Sequence, residues 1–536
     1  MTPAVRRLEV CAVLLAACGG DGTGPSPAVT YLTVSSAGGG ALPGQTVQFT
    51  AVAADSLGQA IPGVHVQWSS QDSFLATVDP TGLVTALHPG TVEVYARFDT
   101  LVAGAGFVVL DPVASADLHG VRAAVVPSAA FRLPFALRSA VGDSLTPLFR
   151  SLAWSSSDPA VAQVDSTGLI TALAPGGTTI TLAAAVEGVT ASVELQVAKL
   201  QYVTAQEGGG FICALTTGKR AYCWGNGYEG IQADGTELVG TSPWPVNTEV
   251  LFDSLSAGHG QVCALTPAGV PYCWGDNTYG ALGDGTITSR LTPAPVAGGL
   301  TLASIAVGID YACGLQVDGA AWCWGVNQWG NLGTGDREQA LVPRPAAAGI
   351  HLRTISLSPD VQTGGPHTCG MADDGTAYCW GANQWGQLAS YPRTAIVETA
   401  TPVQSPAALV DVRSGGQHGC GLAGDGTVLC WGDNSGNALG DRQLDYPDID
   451  SIPAPVPGAP ALAQVRTALY RTCGLTGTGQ VYCWGDVFGK TPILIGIPQP
   501  LVRIDVASHR FCGMSVQQVA WCWTLPGVTP TKVEGQ

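Results

Sequence analysis

Residues 313–325 read Cys313-Gly314-Leu315-Gln316-Val317-Asp318-Gly319-Ala320-Ala321-Trp322-Cys323-Trp324-Gly325. Two apolar runs flank an Asp-Gly pair, the signal of a hairpin whose three-residue loop, Val317 to Gly319, ends on a left-handed residue that glycine adopts freely. The loop sets the register. Gln316 faces Ala320, Leu315 faces Ala321, Gly314 faces Trp322, and Cys313 faces Cys323 in a non-hydrogen-bonded pair. That places the two cysteine Cα atoms about 4.5–5.5 Å apart, within reach of a disulfide.

The same frame recurs along the second half of the chain. Of 16 cysteines, all but Cys11 and Cys18 fall into pairs ten residues apart. The pairs are Cys213 with Cys223, Cys263 with Cys273, Cys313 with Cys323, Cys369 with Cys379, Cys420 with Cys430, Cys473 with Cys483, and Cys512 with Cys522. Each second cysteine is followed by Trp, and Gly stands six residues after the first cysteine at 269, 319, 375, 426 and 479. Between the cysteines a small residue faces an aromatic one: Ala214 and Tyr222, Ala264 and Tyr272, Gly314 and Trp322, Gly370 and Tyr378, Gly474 and Tyr482, Gly513 and Trp521. Metal binding is the rival reading of the cysteines, but there is no C-x2-C and no His at ligand spacing. The pairs are therefore read as seven disulfides, each contributing roughly 2–3 kcal/mol by closing a short loop. One hairpin cannot bury both of its faces. Seven stacked radially can, each sheet covering the next, which is the logic of a β-propeller.

After the second cysteine comes a longer signature, Trp274-Gly275-Asp276-Asn277-Thr278-Tyr279-Gly280-Ala281-Leu282-Gly283 and Trp324-Gly325-Val326-Asn327-Gln328-Trp329-Gly330-Asn331-Leu332-Gly333. It resembles the repeat of the RCC1 (regulator of chromosome condensation) family, and the resemblance covers residues 199–536. It implies a seven-bladed propeller and interactions made through loops. The seventh repeat departs from it, with Thr524 in place of Gly, so how the ring closes is left open.

A second repeat, of period 86, precedes the first. Trp68-Ser69-Ser70-Gln71-Asp72 returns as Trp154-Ser155-Ser156-Ser157-Asp158, and Val78-Asp79-Pro80-Thr81-Gly82-Leu83 returns as Val164-Asp165-Ser166-Thr167-Gly168-Leu169. Short alternating strands and turns describe a sandwich. The pattern resembles bacterial Ig-like domains of group 2, which implies two spacers, at 28–111 and 112–198, with the Trp in the core and Asp-x-Thr-Gly as a turn. The expected fold is thus all-β: two N-terminal Ig-like sandwiches and a propeller.

At the N-terminus, Arg6-Arg7 precede the apolar run Leu8–Ala17, interrupted by Glu9, and Leu15-Ala16-Ala17-Cys18 resembles a bacterial lipobox. This reads as a signal peptide over 1–17, with Cys18 as the acylated residue and 18–27 as a tether; an ordinary signal peptide with a chance cysteine is the alternative. The expected location is the cell envelope or surface, lipid-anchored, or otherwise secreted.

Composition narrows the partners. Net charge is −17, and from residue 199 onward 16 basic face 26 acidic residues. That opposes nucleic acid and anionic membranes, where clustered cations release counterions, and leaves the lipid as the membrane contact. Guanine-nucleotide exchange, carried by the family name, fits neither export nor this charge. A macromolecular partner, a protein, is expected, with no cofactor and no metal. Tyr279, Trp329 and Trp385 occupy one equivalent loop position, where they either form a binding patch or pack on their own blades.

Several motifs invite a catalytic reading. Gly485–Thr491 approaches a phosphate loop but has three residues between its glycines where four are needed. Asp441, Asp445, Asp448 and Asp450 lack the spacing of a calcium loop. His259, His367, His418 and His509 would line one channel mouth, the basis of the alternative, a carbohydrate-binding or enzymatic propeller. The slot two residues before each first cysteine varies from Phe211 through Gln261, Tyr311, His367 and His418 to Arg471 and Arg510. Such freedom reads as blade-specific surface. No enzyme is expected. The hairpin reading has a direct test: the mature chain, denatured but unreduced, should titrate almost no free thiol, and fourteen reactive groups would overturn it.

Overall fold

The computed structural model describes residues 28–121, 123–225, 240–359, 365–390, 395–440, 449–506, 511–523 and 529–533. Cys18 and the proposed leader, Asp441, Asp445, Asp448, His509, Arg510 and Thr524 lie outside them. Nearly everything described is β-structure; the helical turn among the described residues is Asp486–Phe488, inside the phosphate-loop look-alike, with no longer helix after it. The chain divides into two compact units, residues 1–117, 136–152 and 183–190 in one, and 118–135, 153–182 and 191–536 in the other.

The first unit holds a sandwich. One sheet orders Tyr31–Ser36, Thr46–Ala54, Leu83–Ala86 and Ala76–Val78; the other orders Gly40–Ala41, Leu101–Val109, Gly90–Phe98 and Gln67–Ser70. Phe49 and Phe107 meet edge to face at 5.8 Å in the core between them. The two recurring motifs turn out to be one device. Asp79 Oδ1 accepts hydrogen bonds from the Thr81 N–H (2.8 Å) and hydroxyl (2.6 Å) and from the Leu83 N–H (3.0 Å), which folds the turn. The Trp68 ring then covers Gly82, where a Cβ would come within 2.9 Å of it. In the second repeat Asp165 bonds Thr167 and Leu169 in the same way, and Trp154 covers Gly168. Both carboxyls are held below the usual aspartate range, by the threonine hydroxyl first and then by backbone N–H groups.

In the second unit the described residues form seven four-stranded antiparallel sheets, each in simple sequence order from first to fourth strand. The third runs Ser304–Val307, Tyr311–Leu315, Ala321–Gly325 and Ala340–Ala346. Its hairpin has the anticipated register, with the Gln316 N–H donating to Ala320 O at 2.9 Å and Cys313 opposite Cys323.

All seven expected disulfides are present, one per sheet. Cys213 is bonded to Cys223, Cys263 to Cys273, Cys313 to Cys323 and Cys369 to Cys379. Cys420 is bonded to Cys430, Cys473 to Cys483 and Cys512 to Cys522. Their Cα atoms lie 4.1–4.2 Å apart. That corrects the expected 4.5–5.5 Å: the non-hydrogen-bonded pair is the close one of the ladder, and the covalent bridge draws it in. First strands neighbour one another from sheet to sheet, so each sheet is a blade whose first strand faces the centre.

The seventh blade packs on the first. Met514, Ala520, Cys522 and Val533 share a buried cluster with Tyr202, Ile212, Ala214 and Tyr222, which closes the ring. The first blade also carries part of the second Ig-like repeat. Tyr222 Oη donates to Ala124 O at 2.7 Å, and the Trp244 ring lies 4.4 Å from that of Phe131.

The hairpin loops differ at one position. Gly269, Gly319, Gly375, Gly426 and Gly479 have φ of 77–87°, but the same place holds Lys219 (φ 61°) in blade one and Gln518 (φ 60°) in blade seven. A side chain there costs about 1–2 kcal/mol, partly offset by the entropy glycine loses on folding. Gln518→Gly should therefore stabilise the protein by about 0.5–1 kcal/mol. Gly319→Ala, whose Cβ would meet Leu352 N at 2.9 Å, should destabilise it by at least that much. Denaturant unfolding of both variants checks the opposite signs.

Candidate functional site

In an antiparallel blade the loop joining first and second strands and the loop joining third and fourth emerge at the same end. The recurring Trp-Gly motif builds the latter. Its asparagine is buried and folds the loop: Asn277, Asn327, Asn383 and Asn434 each accept, through Oδ1, the N–H of the leucine five residues on, at 2.9–3.1 Å. The folded loop presents a carbonyl to the next blade. There the buried Trp after the second cysteine donates its indole N–H: Trp324 to Ala281 O (2.9 Å), Trp380 to Asn331 O (3.0 Å), Trp431 to Gln387 O (2.9 Å) and Trp484 to Ala438 O (2.9 Å). This asparagine was the residue type that sequence reading passed over, although it stands at a fixed place in four loops.

The variable slot before each first cysteine proves not to be surface. Phe211, Gln261, Tyr311, His367 and His418 are all buried. Contacts run to the following blade: Gln261 Nε2 donates to Tyr311 O (3.4 Å), Tyr311 Oη donates to His367 O (3.0 Å), and His418 Nε2 lies 3.0 Å from Thr472 Oγ1. The slot varies because acceptors on the neighbouring blade take many partners, and the four-histidine channel mouth is corrected accordingly. His367 and His418 are sealed between blades, while His259 is exposed.

Aromatic exposure also divides. Tyr279 is 46% exposed, but Trp329 and Trp385 are half-buried, with Trp329 lying on Gly365 of the next blade, where a Cβ would clash at 2.4 Å. The three-residue patch is thus reduced to Tyr279. Beside it the loops of blades two and three bring His259 together with two groups that sequence did not single out, Asp276 and Asp310. Asp276, three residues before Tyr279, accepts from the Thr278 N–H (2.8 Å) and hydroxyl (2.7 Å). Asp310, in a left-handed conformation at φ 57°, has its carboxyl pushed up to about 6, by burial first and then by the charge of Asp276, against the opposing effect of His259. An acid that holds its proton into the mildly acidic range, a second carboxyl group, an imidazole and an exposed phenol occupy one face. They suit hydrogen bonding to a partner and recognition of a cationic group. Arg471, by contrast, is committed to Asp486 at 2.6 Å, which occupies the phosphate-loop look-alike. Among the described residues no three His, Cys, Asp or Glu side chains gather as metal ligands.

Compared with known proteins, residues 269–315, 318–369 and 374–422 match the regulator of chromosome condensation (RCC1) repeat, and residues 28–102 and 140–195 match the bacterial Ig-like domain (group 2). The chain carries RCC1 repeats behind bacterial Ig-like domains. Human probable E3 ubiquitin-protein ligase HERC6 is 30% identical over 169 residues, 28% of this chain and 16% of that protein. A bifunctional kinase/NEDD4-like ubiquitin ligase of Dictyostelium discoideum is 29% identical over 87 residues, 15% of this chain and 5% of its own length. The chain therefore spans less than a fifth of either relative. Among solved structures, human WBSCR16 superposes with a TM-score of 0.53 at 18% identity, covering 60% of this chain and 89% of that one. Prp20p of Saccharomyces cerevisiae gives 0.50 at 19%, covering 58% and 81%. These likenesses establish the propeller fold.

Burial has a consequence for pH. Desolvation pushes the His367 imidazole down to about 3 and His418 to about 4, from an unfolded value of about 6.5. Above that value neither state is protonated, so nothing is lost. As pH falls through it the unfolded chain binds protons that the native protein refuses, and stability drops until the folded values are reached. At pH 5 each histidine should cost about 2 kcal/mol relative to pH 7.5. Denaturant unfolding at the two pH values should show a smaller loss in His418→Gln, which keeps a partner for Thr472, than in the wild type.

Proposed function

We propose that this is an exported, lipid-anchored envelope protein whose Ig-like repeats present a disulfide-stapled propeller to a protein partner. The loop face of blades two and three does the binding. The observation that carries this reading is the concentration of available chemistry there: the exposed Tyr279 ring beside Asp276, Asp310 and His259, on a ring whose other recurring side chains are spent on joining blades. Prp20p, of the same fold, is described by its binding to Gsp1p and histones, and yeast RCC1 by its complex with Kap60, which supports a protein ligand as the common use of such propellers. An acidic face with an aromatic ring suits a partner offering a lysine or arginine side chain, through ion pairing and cation–π contact. Fourteen cysteines all committed to disulfides favour an oxidising compartment. Catalysis is not part of the reading, and neither is nucleotide exchange.

The immobilised mature chain should recover a protein from envelope extracts at pH 7.5 and low salt. Tyr279→Ala should cut that recovery about tenfold, as expected of an aromatic contact at the centre of an interface. Binding by the wild type should weaken as pH is lowered below 6, and Asp310→Asn should imitate that weakening, whereas Trp385→Ala should act through stability. Equal recoveries by wild type and Tyr279→Ala would remove the loop-face assignment.

A further inference from the structure

The centre of the ring is a cavity of about 250 Å³ lined from the first strands of all seven blades. In each blade one first-strand residue faces the first cysteine: Gln206, Ser256, Ala306, Ser356, Arg413, Arg466 and Asp505 in order. In the early blades this position joins neighbours. Gln206 Oε1 accepts from Ala257 N, Ser256 Oγ from Val307 N and Ser356 Oγ from Ser414 N, each at 3.0 Å. The lining hydroxyls of Ser414 and Thr467 are likewise spent, donating to Ser356 O (3.0 Å) and Ser414 O (2.8 Å).

In blades five and six this position holds long cations. Arg413 bonds Asp411 Oδ2 through Nε and Nη2, both at 2.9 Å, so its charge is met. Arg466 is not matched in this way. Its Nη1 donates to Val465 O (2.8 Å) and stands 4.0 Å from Asp411 Oδ2. No other hydrogen bond holds its guanidinium among the described residues, although its side chain is only 21% exposed. Arg503 and Asp505 complete the wall. Three guanidiniums against two carboxylates leave one cation in excess, inside a chain of net charge −17. Burying a charge without a matched partner is costly, and blade packing as such requires no arginine at this position, since serine serves in blades two and four. Burial, and then the nearby Arg413, push Arg466 down to about 10, against the opposing pull of Asp505 and Asp411.

We propose that the channel binds a small oxyanion, a carboxylate or sulfate group, held in the fork of Arg466 with Arg413 and Arg503 around it. A guanidinium presents paired N–H donors that match two oxygens of such a group. The volume admits a small organic acid, up to an acidic monosaccharide. This site is separate from the loop face and stands or falls independently of it.

Calorimetric titration of the mature chain with acetate, glucuronate and sulfate, at ionic strength fixed with sodium chloride, tests the proposal. At least one of the three should bind saturably, one per chain. Arg466→Gln should abolish the binding, and Arg503→Gln, an exposed position that folding tolerates, should weaken it about tenfold. Arg337→Gln, on an exposed loop outside the channel, should leave it unchanged. Should Arg466→Gln fail to fold, Arg503→Gln decides alone. Absence of saturable binding of all three anions by the wild type, or equal affinity in Arg503→Gln, would sink the channel site.

Discussion

A single indole hydrogen bond, repeated across the joints from blade two to blade six, ties the consecutive sheets of this propeller together. A tryptophan fixed beside a disulfide donates to a carbonyl that the preceding blade's asparagine-folded loop has turned outward. Both ends are buried, so neither partner can exchange the bond for water, and losing one end would strand the other at the full cost of desolvation. The disulfide keeps the tryptophan's strand in register, and the asparagine keeps the acceptor in place. Blades three, four and five therefore each position a donor for the blade before and an acceptor for the blade after, which is why the features that recur most strictly in sequence are those of contact between repeats.

The seventh blade shows what happens when one half of this device is missing. Blade six shortens its loop to the turn around Asp486–Phe488, and the Trp523 indole N–H has no hydrogen-bond partner among the described residues. Apolar contact takes over: the Trp523 ring stacks on Phe511 at 5.8 Å, and Phe511 meets Phe488 edge-on at 5.2 Å. Closure against blade one likewise rests on packing around Tyr202 and Met514. Packing of this kind is less directional than the indole bond, and it tolerates the irregular repeats at the end of the series.

The hairpins were legible because everything that defines them is local. Ten residues of spacing and a loop glycine fix which side chains face each other, and the aligned Cys313 and Cys323 follow from counting. What escaped was decided across blades. Trp329 and Tyr279 occupy the same position in their repeats, yet one is half-buried because the following blade offers Gly365 for its ring to lie on. The slot holding Gln261, Tyr311 and His418 looked free because chemically unlike residues fill it. They share a role only in space, where each meets the next blade across a distance of about fifty residues in the chain. Asp310 was invisible for the same reason, since its perturbation comes from burial and from Asp276 on another blade.

Repetition also indicates where function should be sought. In a ring of near-equivalent blades, a residue that obeys the pattern is accounted for by folding, and one that breaks it at some cost calls for another explanation. Asp310 breaks it with a left-handed backbone and a half-buried carboxyl. Arg466 breaks it by placing a cation where serine suffices elsewhere. Lys219 and Gln518 break it too, but at exposed hairpin tips where a left-handed side chain is merely tolerated. The difference lies in burial. A departure at the surface is inexpensive and can drift, whereas a charge kept inside a cavity opposes folding unless partners offset it, and Arg466 has fewer of them than Arg413.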